Sequence, residues 1–375
     1  MNIEAIWLHF IEMPLKIPFQ ASWGTLDTRP AIVVEVYDGD GRIGLGEGLA
    51  FAQPYYTEET IMTSWHILDA FLIPLLYLAP IAHPAEVHQR FARVRGNAMA
   101  KAALDSAVWD LYAQEQGSSL ATVLGGQVQP VPVRRTLGLA APEALSERMA
   151  EAWVEEEMRC FKLKIQPGAD DTMLEIIRRQ FPDADLAVDA NGSYEGADVD
   201  LLTALDRYQL TTLEQPLAAG DFIGHARLQA GMTTAVGLDE SLVSLETTEL
   251  ALALRSCRAV NLKWGRVGGL TAAIQIHNRC RTEHIELWCG GMFETGIGRA
   301  HSLALSTLPG FTLPADLGPS RQYWERDLVF PELLLQNGTL PVPGASGIGV
   351  RLDRERLDAV TKYRQYYPRN GTRIR

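Results

Sequence analysis

The middle of the chain reads FKLK at 161–164, VDAN at 188–191, LEQP at 213–216, GLDES at 237–241 and VNLK at 260–263. Each segment places a charged residue after a short apolar run, and these residues are Lys164, Asp189, Glu214, Asp239 and Lys263, separated by 25, 25, 25 and 24 residues. A repeat of about 25 residues accommodates one strand, one helix and two short loops. Because the strands of a parallel barrel all end at one face, we expect the five side chains to meet there.

Similar apolar segments lie on both sides of this stretch. The candidate strands in chain order are 131–137, 161–165, 186–189, 211–214, 234–238, 259–263, 286–289 and 311–316. Helical patterns such as DTMLEIIRRQF at 171–181 separate them. Eight parallel strands alternating with helices close a barrel, so the predicted fold class is α/β, a (β/α)8-type, modified TIM barrel.

The regions outside the barrel have a different pattern. Residues 1–60 alternate apolar and polar positions around the turn DGDG at 38–41, which is typical of an antiparallel hairpin, and helical patterns follow up to about residue 126. Turn signals return in NGTLPVPGASGIGV at 337–350. We therefore predict an N-terminal α+β capping domain (1–126), a barrel domain (127–330) and a C-terminal segment (331–375) that returns to the capping domain.

Composition excludes several classes of function. A net charge of −12 argues against a nucleic-acid or anionic-membrane partner, because either needs a basic face. The apolar stretch at 68–82 is short and contains an aspartate and two prolines, so no membrane span is expected. Cys160, Cys257, Cys280 and Cys289 have neither metal-site nor disulfide spacing, which favours buried thiols and a cytoplasmic protein.

The three carboxylates predict a metal site. Asp189, Glu214 and Asp239 would repel one another at one barrel mouth unless a cation neutralised them, and carboxylates are the ligands that Mg²⁺ prefers. We therefore expect a Mg²⁺ ion, with Mn²⁺ or another divalent ion as a substitute. The alternative for each residue alone is an N-cap of the following helix.

The lysines predict proton transfer. Lys162 and Lys164 lie two residues apart in a strand and so point to the same side, and Lys263 lies beyond the three acids in strand order. Such an arrangement suits removal of a proton beside a carboxylate, with a lysine on each face. Arg266 would lower the pKa of Lys263. The alternatives are a solvated strand end for the lysines and a surface position for Arg266.

These segments resemble the enolase superfamily, and within it the muconate-lactonising subgroup. The resemblance rests on KLK at 162–164, DAN at 189–191, LEQP at 213–216, LDES at 238–241 and NLKWGRVGG at 261–269. More narrowly, the chain is similar to the o-succinylbenzoate synthase and N-succinylamino acid racemase family in GEGLAFAQPYYTEET (46–60), AKAALDSAVWDLYAQ (100–114), GGMFETGIGR (290–299) and DLGPSRQYWERDL (316–328).

The resemblance implies Mg²⁺-dependent dehydration of 2-succinyl-6-hydroxy-2,4-cyclohexadiene-1-carboxylate in menaquinone biosynthesis. Lys164 would be the base and Lys263 would stabilise the enediolate, with Asp189, Glu214 and Asp239 on the metal. It also implies a homo-oligomer and a small-molecule carboxylate substrate. The implied substrate-binding residues, the last three on a mobile cap, are Lys162, Thr136, Asn191, Gly291, Met292, Phe19, Ser22 and Tyr55.

Two alternatives stay open. The first is N-succinylamino acid racemase, in which the same two lysines exchange a proton on opposite faces, and one pocket could perform both reactions because they share the first step. The second belongs to another class, a non-catalytic barrel that binds a metal ion or a metabolite. The intact lysines argue against the second.

Overall fold

The N-terminal part of the chain forms an antiparallel sheet. The computed structural model describes residues 1–21, 24–168 and 170–369, with the backbone alone at 19–21, 24 and 25. The first three strands are β1 (Ile3–Ala21), β2 (Gly24–Asp38) and β3 (Ile43–Gly48). The DGDG turn joins β2 to β3, and its Gly41 has a φ of 82°, which glycine adopts without strain.

Helices cover one face of this sheet. They are α1 (Ile61–Ile67), a π-helical turn (Leu68–Leu72), α2 (Ile73–Leu76), α3 (Ala85–Phe91), α4 (Ala98–Glu115) and α5 (Leu120–Leu124). Helix α4 approaches β3 closely because Gly44 and Gly46 have no side chain. A Cβ at these glycines would lie 2.1 Å from the carbonyl oxygen of Ala107 and 2.2 Å from that of Ala103.

The centre of the chain alternates strands and helices. The strands are β4 (Val131–Pro132), β5 (Arg135–Leu137), β6 (Cys160–Lys164), β7 (Asp185–Asp189), β8 (Thr212–Glu214), β9 (Ala235–Leu238), β10 (Ala259–Leu262) and β11 (Glu286–Cys289). The α-helices are α6 (Pro142–Glu155), α7 (Asp170–Gln180), α8 (Val199–Ala204), α9 (Phe222–Gly231), α10 (Leu245–Leu254), α11 (Trp264–Val267), α12 (Leu270–Thr282) and α13 (Gly296–Ser306); 3₁₀ turns at Gly196–Asp198 and Leu205–Tyr208 flank α8. Strands β5 to β11 form one parallel seven-stranded sheet in chain order.

The prediction of a regular eighth strand at 311–316 is wrong. It is held by single parallel bridges, from Phe311 to Leu287, from Asp316 to Gly290 and from Ala315 to Val133. A regular ladder does not form because Pro314 has no N–H to donate. The segment nevertheless links both edges of the sheet, since the N–H of Asp316 donates to Cys289 at 2.9 Å and Ala315 accepts from Arg134 at 2.8 Å.

The predicted first strand, 131–137, also divides in two. Only β5 joins the parallel sheet, whereas β4 pairs antiparallel with β13 (Thr339–Leu340). Apart from these two segments, the predicted α/β class with a modified TIM barrel and a capping domain is confirmed.

The C-terminal part of the chain returns to the first sheet. It contains α14 (Ser320–Tyr323), β12 (Val329–Phe330), β14 (Arg351–Leu352), α15 (Arg354–Val360) and β15 (Thr361–Pro368). Strand β15 pairs antiparallel with β1, which gives the order β15, β1, β2, β3. The domain limits at residues 126 and 330 stay a prediction.

Buried polar groups join the capping sheet to the barrel. The Arg29 guanidinium on β2 donates to the carbonyl oxygens of Ala50 at 2.8 Å and of Met292 at 3.3 Å. The carboxylate of Glu47 on β3 accepts from the N–H groups of Thr295 at 2.9 Å and Gly298 at 2.8 Å, at the start of α13. The loops that follow β3 and β11 are therefore tied together above the barrel.

Two sequence expectations concern the wider chain. Cys257, Cys280 and Cys289 are buried free thiols, and Cys160 is half-buried. In the part of the chain that the structure describes, no helix combines the length and the apolar character needed to cross a bilayer.

Candidate active site

Three buried carboxylates lie where neighbouring barrel strands end. Asp189 ends β7, Glu214 ends β8 and Asp239 follows β9, and their exposed fractions are 2%, 0% and 2%. Asp189 and Glu214 are direct register partners. The N–H of Asp239 donates to the side-chain oxygen of Gln215 at 3.0 Å, which fixes the turn after β9. The three acids therefore lie at the ends of three consecutive barrel strands, as the spacing predicts.

Cationic side chains contact each of these acids. Lys164 Nζ donates to Asp189 Oδ2 at 2.7 Å, and Lys263 Nζ donates to Asp239 Oδ2 at 2.7 Å. Lys162 Nζ donates to Glu214 Oε2 at 2.8 Å. The two lysines predicted to transfer protons therefore lie on different acids, with Glu214 between them in strand order.

The charges shift the pKa values of the acids in different directions. Burial raises the pKa of Asp189, but the nearby Lys164 and Lys162 outweigh it and the net pKa is lowered. Burial likewise raises the pKa of Asp239, and Arg266 and Lys263 reverse that shift. The pKa of Glu214 is raised, by burial and by the neighbouring Asp189. Glu214 is the acid with the least compensation from cations.

Arg266 is buried, so the alternative of a surface position is wrong. Its guanidinium forms an ion pair with Asp239 and lowers the pKa of Lys263, as predicted. Burial also lowers the pKa of Lys263, but the negative charge of Asp239, together with other neighbouring groups, raises it by more than these effects lower it. The net pKa of Lys263 is therefore raised, although Arg266 acts on it in the predicted direction. The sequence could not show that Arg266 and Lys263 share one carboxylate.

The donor set fits a hard divalent ion. The side chains of Asp189, Glu214 and Asp239 offer oxygen ligands only, and each carries a negative charge that acts on the others. Among the described residues, however, no three acidic, histidine or cysteine side chains converge as a set of metal ligands, since their oxygens face ammonium groups. In this structure the positive charges of Lys162, Lys164 and Lys263 balance the negative charges of the acids.

Lys162 is the most enclosed of the lysines. Besides Glu214, its ammonium contacts Asp316 Oδ2 at 2.5 Å and Asp189 Oδ2 at 3.4 Å. Asp316 also accepts from Trp288 Nε1 at 2.7 Å. Sequence analysis placed Asp316 only at the end of the eighth strand. Its position there, like that of the other acids at their strand ends, was the signal that could have identified it.

The capping domain reaches the site through Tyr56. Its hydroxyl accepts from Lys263 Nζ at 3.0 Å and from Arg266 Nη1 at 2.7 Å. The predicted Tyr55 is 59% exposed. Phe19 was expected in a loop, but its backbone lies in β1 and pairs with Leu26.

Two predicted cap positions have no described side chain. Ser22 lies outside the described residues, and of Phe19 the structure describes the backbone alone.

Asn191 contacts Lys164 and two acids of the site. It has a φ of 44°, and its N–H donates to Asp189 Oδ1 at 3.0 Å. Its Oδ1 accepts from Lys164, and its Nδ2 donates to Glu240 Oε1 at 2.9 Å. The residue predicted as a substrate neighbour therefore also orients Lys164, and Glu240 is a site residue that sequence analysis missed.

The other predicted substrate neighbours lie on adjoining strands and loops. Thr136 on β5 is the register partner of Lys162. The N–H of Gly291 donates to the carbonyl of Asp316 at 3.1 Å, and Met292 is buried. Thr136 and Gly291 thus adjoin Lys162 and Asp316, and the contact of all three residues with a substrate stays a prediction.

Asn261 and Gly290 complete the site and were missed. Asn261 on β10 donates through Nδ2 to Glu214 Oε1 at 2.7 Å. Gly290 follows β11, and a Cβ there would lie 2.2 Å from Asn261 Oδ1 and 2.6 Å from Lys263 Cε. The position of Asn261 two residues before Lys263, on the same face of the strand, was an available signal.

Comparisons with known proteins find relatives along nearly the whole chain. Residues 144–356 match the family model described as enolase C-terminal domain-like, and residues 4–125 match that of the mandelate racemase / muconate lactonizing enzyme N-terminal domain. The chain is 46% identical over 372 residues to an o-succinylbenzoate synthase of Geobacillus kaustophilus, covering 99% of each chain. It is 40% identical over 366 residues to an N-succinylamino acid racemase of Thermus thermophilus, covering 98% of this chain and 99% of the relative.

A solved structure shows the same fold. A crystal structure from Listeria innocua, described as a member of the enolase superfamily, has a TM-score of 0.96 at 38% identity and covers 99% of this chain and 100% of its own. The chain therefore belongs to the mandelate racemase / muconate lactonizing enzyme family of the enolase superfamily.

Proposed function

We propose that the chain is an o-succinylbenzoate synthase that dehydrates 2-succinyl-6-hydroxy-2,4-cyclohexadiene-1-carboxylate in menaquinone biosynthesis. The observation that carries the proposal is the pair of lysines, Lys164 and Lys263, each of which is bound to a different buried carboxylate. The relatives with this name from Geobacillus kaustophilus, Geobacillus stearothermophilus and Bacillus subtilis are 46%, 45% and 44% identical over 97% or more of the chain.

Asp189, Glu214 and Asp239 would hold the metal ion, with Mg²⁺ as the proposed ion and Mn²⁺ or another divalent ion as a substitute. A bound dication would supply positive charge for the negative charge that develops on the substrate carboxylate. The protein's own groups perform the proton transfers.

The free amino group of Lys164 would remove the proton on the carbon that bears the carboxylate, and Asn191 would hold that amino group in line. The C–H bond breaks, the electron pair forms the new ring double bond, and the C–O bond to the hydroxyl breaks. The proton taken by Lys164 would then leave with that hydroxyl as water. Lys263 would remain protonated and stabilise the intermediate, which agrees with the raised pKa of Lys263.

A second activity, racemisation of N-succinylamino acids, is favoured by the same pair of lysines. A proton removed by one lysine and returned by the other inverts the carbon between them. The relative from Thermus thermophilus carries the racemase name at 40% identity. We propose that one pocket performs both reactions, since they share the first proton transfer.

The partner would be a small-molecule carboxylate, bound near Lys162, Thr136, Asn191, Gly291 and Met292. Assembly into a homo-oligomer and a cytoplasmic location remain predictions.

The decisive experiment measures both reactions with Mg²⁺ and with a chelator. We expect kcat/KM for dehydration at or above about 10⁴ M⁻¹s⁻¹, lost on chelation. Lys164→Ala should abolish dehydration and leave metal binding, measured by calorimetry, intact. A Lys164→Ala protein as active as the wild type would refute the mechanism.

The alternatives give different outcomes. Negligible dehydration with efficient racemisation by the folded, Mg²⁺-loaded protein would make the racemase the main function. No turnover of either substrate, with metal binding retained, would favour the non-catalytic barrel.

A further inference from the structure

Asp316 is a buried carboxylate that the proposed chemistry does not use. It ends the segment that links β11 to the first strand, and its side chain is 6% exposed. Its Oδ2 accepts from Lys162 Nζ at 2.5 Å and from Trp288 Nε1 at 2.7 Å. An acid held by two donors in a buried position is well placed to act through one of them.

The partner of Asp316, Lys162, is shared among three acids. Two of them, Glu214 at 2.8 Å and Asp189 at 3.4 Å, are proposed metal ligands. Among the described residues, Asp316 is the only acid paired with Lys162 that is not such a ligand. Lys162 therefore competes with a metal ion for the carboxylates of Glu214 and Asp189. Its ion pair with Asp316 leaves both of these carboxylates available to the metal ion.

The competition matters because the site is enclosed. Two positive charges a few ångströms apart repel strongly when little water separates them. When Asp189 and Glu214 bind a dication, the ammonium of Lys162 needs another negatively charged partner. Asp316 is already in contact and supplies one full negative charge.

The position of Asp316 is fixed by packing. Trp288 is fully buried on β11, and its ring occupies space beside Gly237, where a Cβ would lie 2.7 Å from the Cη2 atom. The indole N–H therefore holds the Asp316 carboxylate beside Lys162 rather than toward Asp189 or Glu214.

We propose that Asp316 is a positioning residue that holds and neutralises Lys162, so that Glu214 and Asp189 are free to bind the metal ion. This role rests on the proposed metal site. In this role the end of segment 311–316 supports metal binding as well as closing the barrel.

Calorimetric titration with Mg²⁺ and with Mn²⁺ tests the role without any substrate. Asp316→Asn keeps the shape but removes the charge, and we expect it to raise the metal Kd about tenfold. Asp316→Glu keeps the charge and should stay within about threefold of the wild type. Asp185→Asn, at the opposite end of β7, is the matched control and should leave the Kd unchanged.

A double-mutant cycle shows whether Asp316 acts through Lys162. In a Lys162→Met background, Asp316→Asn should change the Kd less than about twofold. An equal effect in both backgrounds, or an Asp316→Asn protein that binds metal like the wild type, would overturn the proposal.

Two further outcomes, a variant that does not fold and a wild-type protein that does not bind metal, can be distinguished from failure of the proposal. If Asp316→Asn does not fold, Trp288→Phe removes one hydrogen bond to Asp316 and leaves both charges. It should raise the Kd about threefold, and an unchanged Kd would argue against the role. A wild-type protein that binds neither ion would refute the proposed metal site, and with it this role, whereas metal binding that is indifferent to Asp316 would refute the role alone.

Discussion

Arg29 connects the capping sheet to the barrel, and its replacement by methionine should separate the two loops that it holds. Its guanidinium is 1% exposed and donates to the carbonyl oxygens of Pro30, Leu49, Ala50 and Met292. Leu49 and Ala50 belong to the cap loop that leads to Tyr56. Arg29 therefore couples the cap loop to the loop after β11.

The size of the effect follows from two opposing contributions. Hydrogen bonds from a charged donor stabilise by about 1.5 kcal/mol each at the low end, so the four carbonyls account for about 6 kcal/mol. Burial lowers the pKa of Arg29 to about 10, which corresponds to about 3 kcal/mol that is recovered when the charge is removed. We expect Arg29→Met to lower the free energy of unfolding by about 3 kcal/mol.

Denaturant unfolding and amide hydrogen exchange measure this. The exchange of residues 49–56 should accelerate together with that of residues 292–295, because both loops lose the same anchor. Arg321→Met is the matched control, since Arg321 is 67% exposed, and its unfolding should match that of the wild type. An Arg29→Met protein with unchanged stability and unchanged exchange in both loops would refute the reasoning.

Three further predictions concern activity and pH. Tyr56→Phe removes the hydroxyl that Lys263 and Arg266 contact and should lower kcat about tenfold, whereas Tyr55→Phe should change it less than about twofold, as steady-state kinetics would show. Gly290→Ala places a Cβ 2.2 Å from a side-chain oxygen and should lower kcat about 100-fold, whereas Gly138→Ala, with nothing within 4 Å, should not. Burial raises the pKa of Glu35, but hydrogen bonds from a histidine and an arginine outweigh it and lower the pKa from 4.5 to about 2. The stability that Glu35 contributes is present above its unfolded pKa, and about 1 kcal/mol of it is lost as the pH falls from 5.5 to 3.5. Glu35→Gln should reduce this loss, and equal urea midpoint shifts in both proteins would contradict it.

The regular part of the fold could be predicted from the sequence because it repeats. In five successive segments a charged residue follows an apolar run, so the spacing from Lys164 to Lys263 was sufficient to place five side chains at one face. Strand register then brings Asp189 beside Glu214 without any information about loops. The alternation of buried strands and helices determines where such side chains lie, and the apolar pattern of the sequence indicates that alternation.

The irregular part could not be predicted in the same way. Tyr55 and Tyr56 are adjacent in a loop, where no periodicity indicates which one faces the site. The Pro314 segment has a strand-like composition, but it forms single bridges in place of a ladder. The pKa of Lys263 depends on Asp239, Tyr56 and Arg266 together, and this combination is visible only in three dimensions.

The pairing of β15 with β1 joins segments that are made far apart in time. Residue 361 follows residue 21 by 340 positions, so at roughly 5 to 20 residues per second the ribosome needs about 20 to 70 s to provide the partner strand. The barrel strands are made within this interval, while one edge of β1 has exposed N–H and C=O groups. The pairing of β15 with β1 therefore forms only after the barrel strands have been made, and until then the open edge of β1 can pair with another chain.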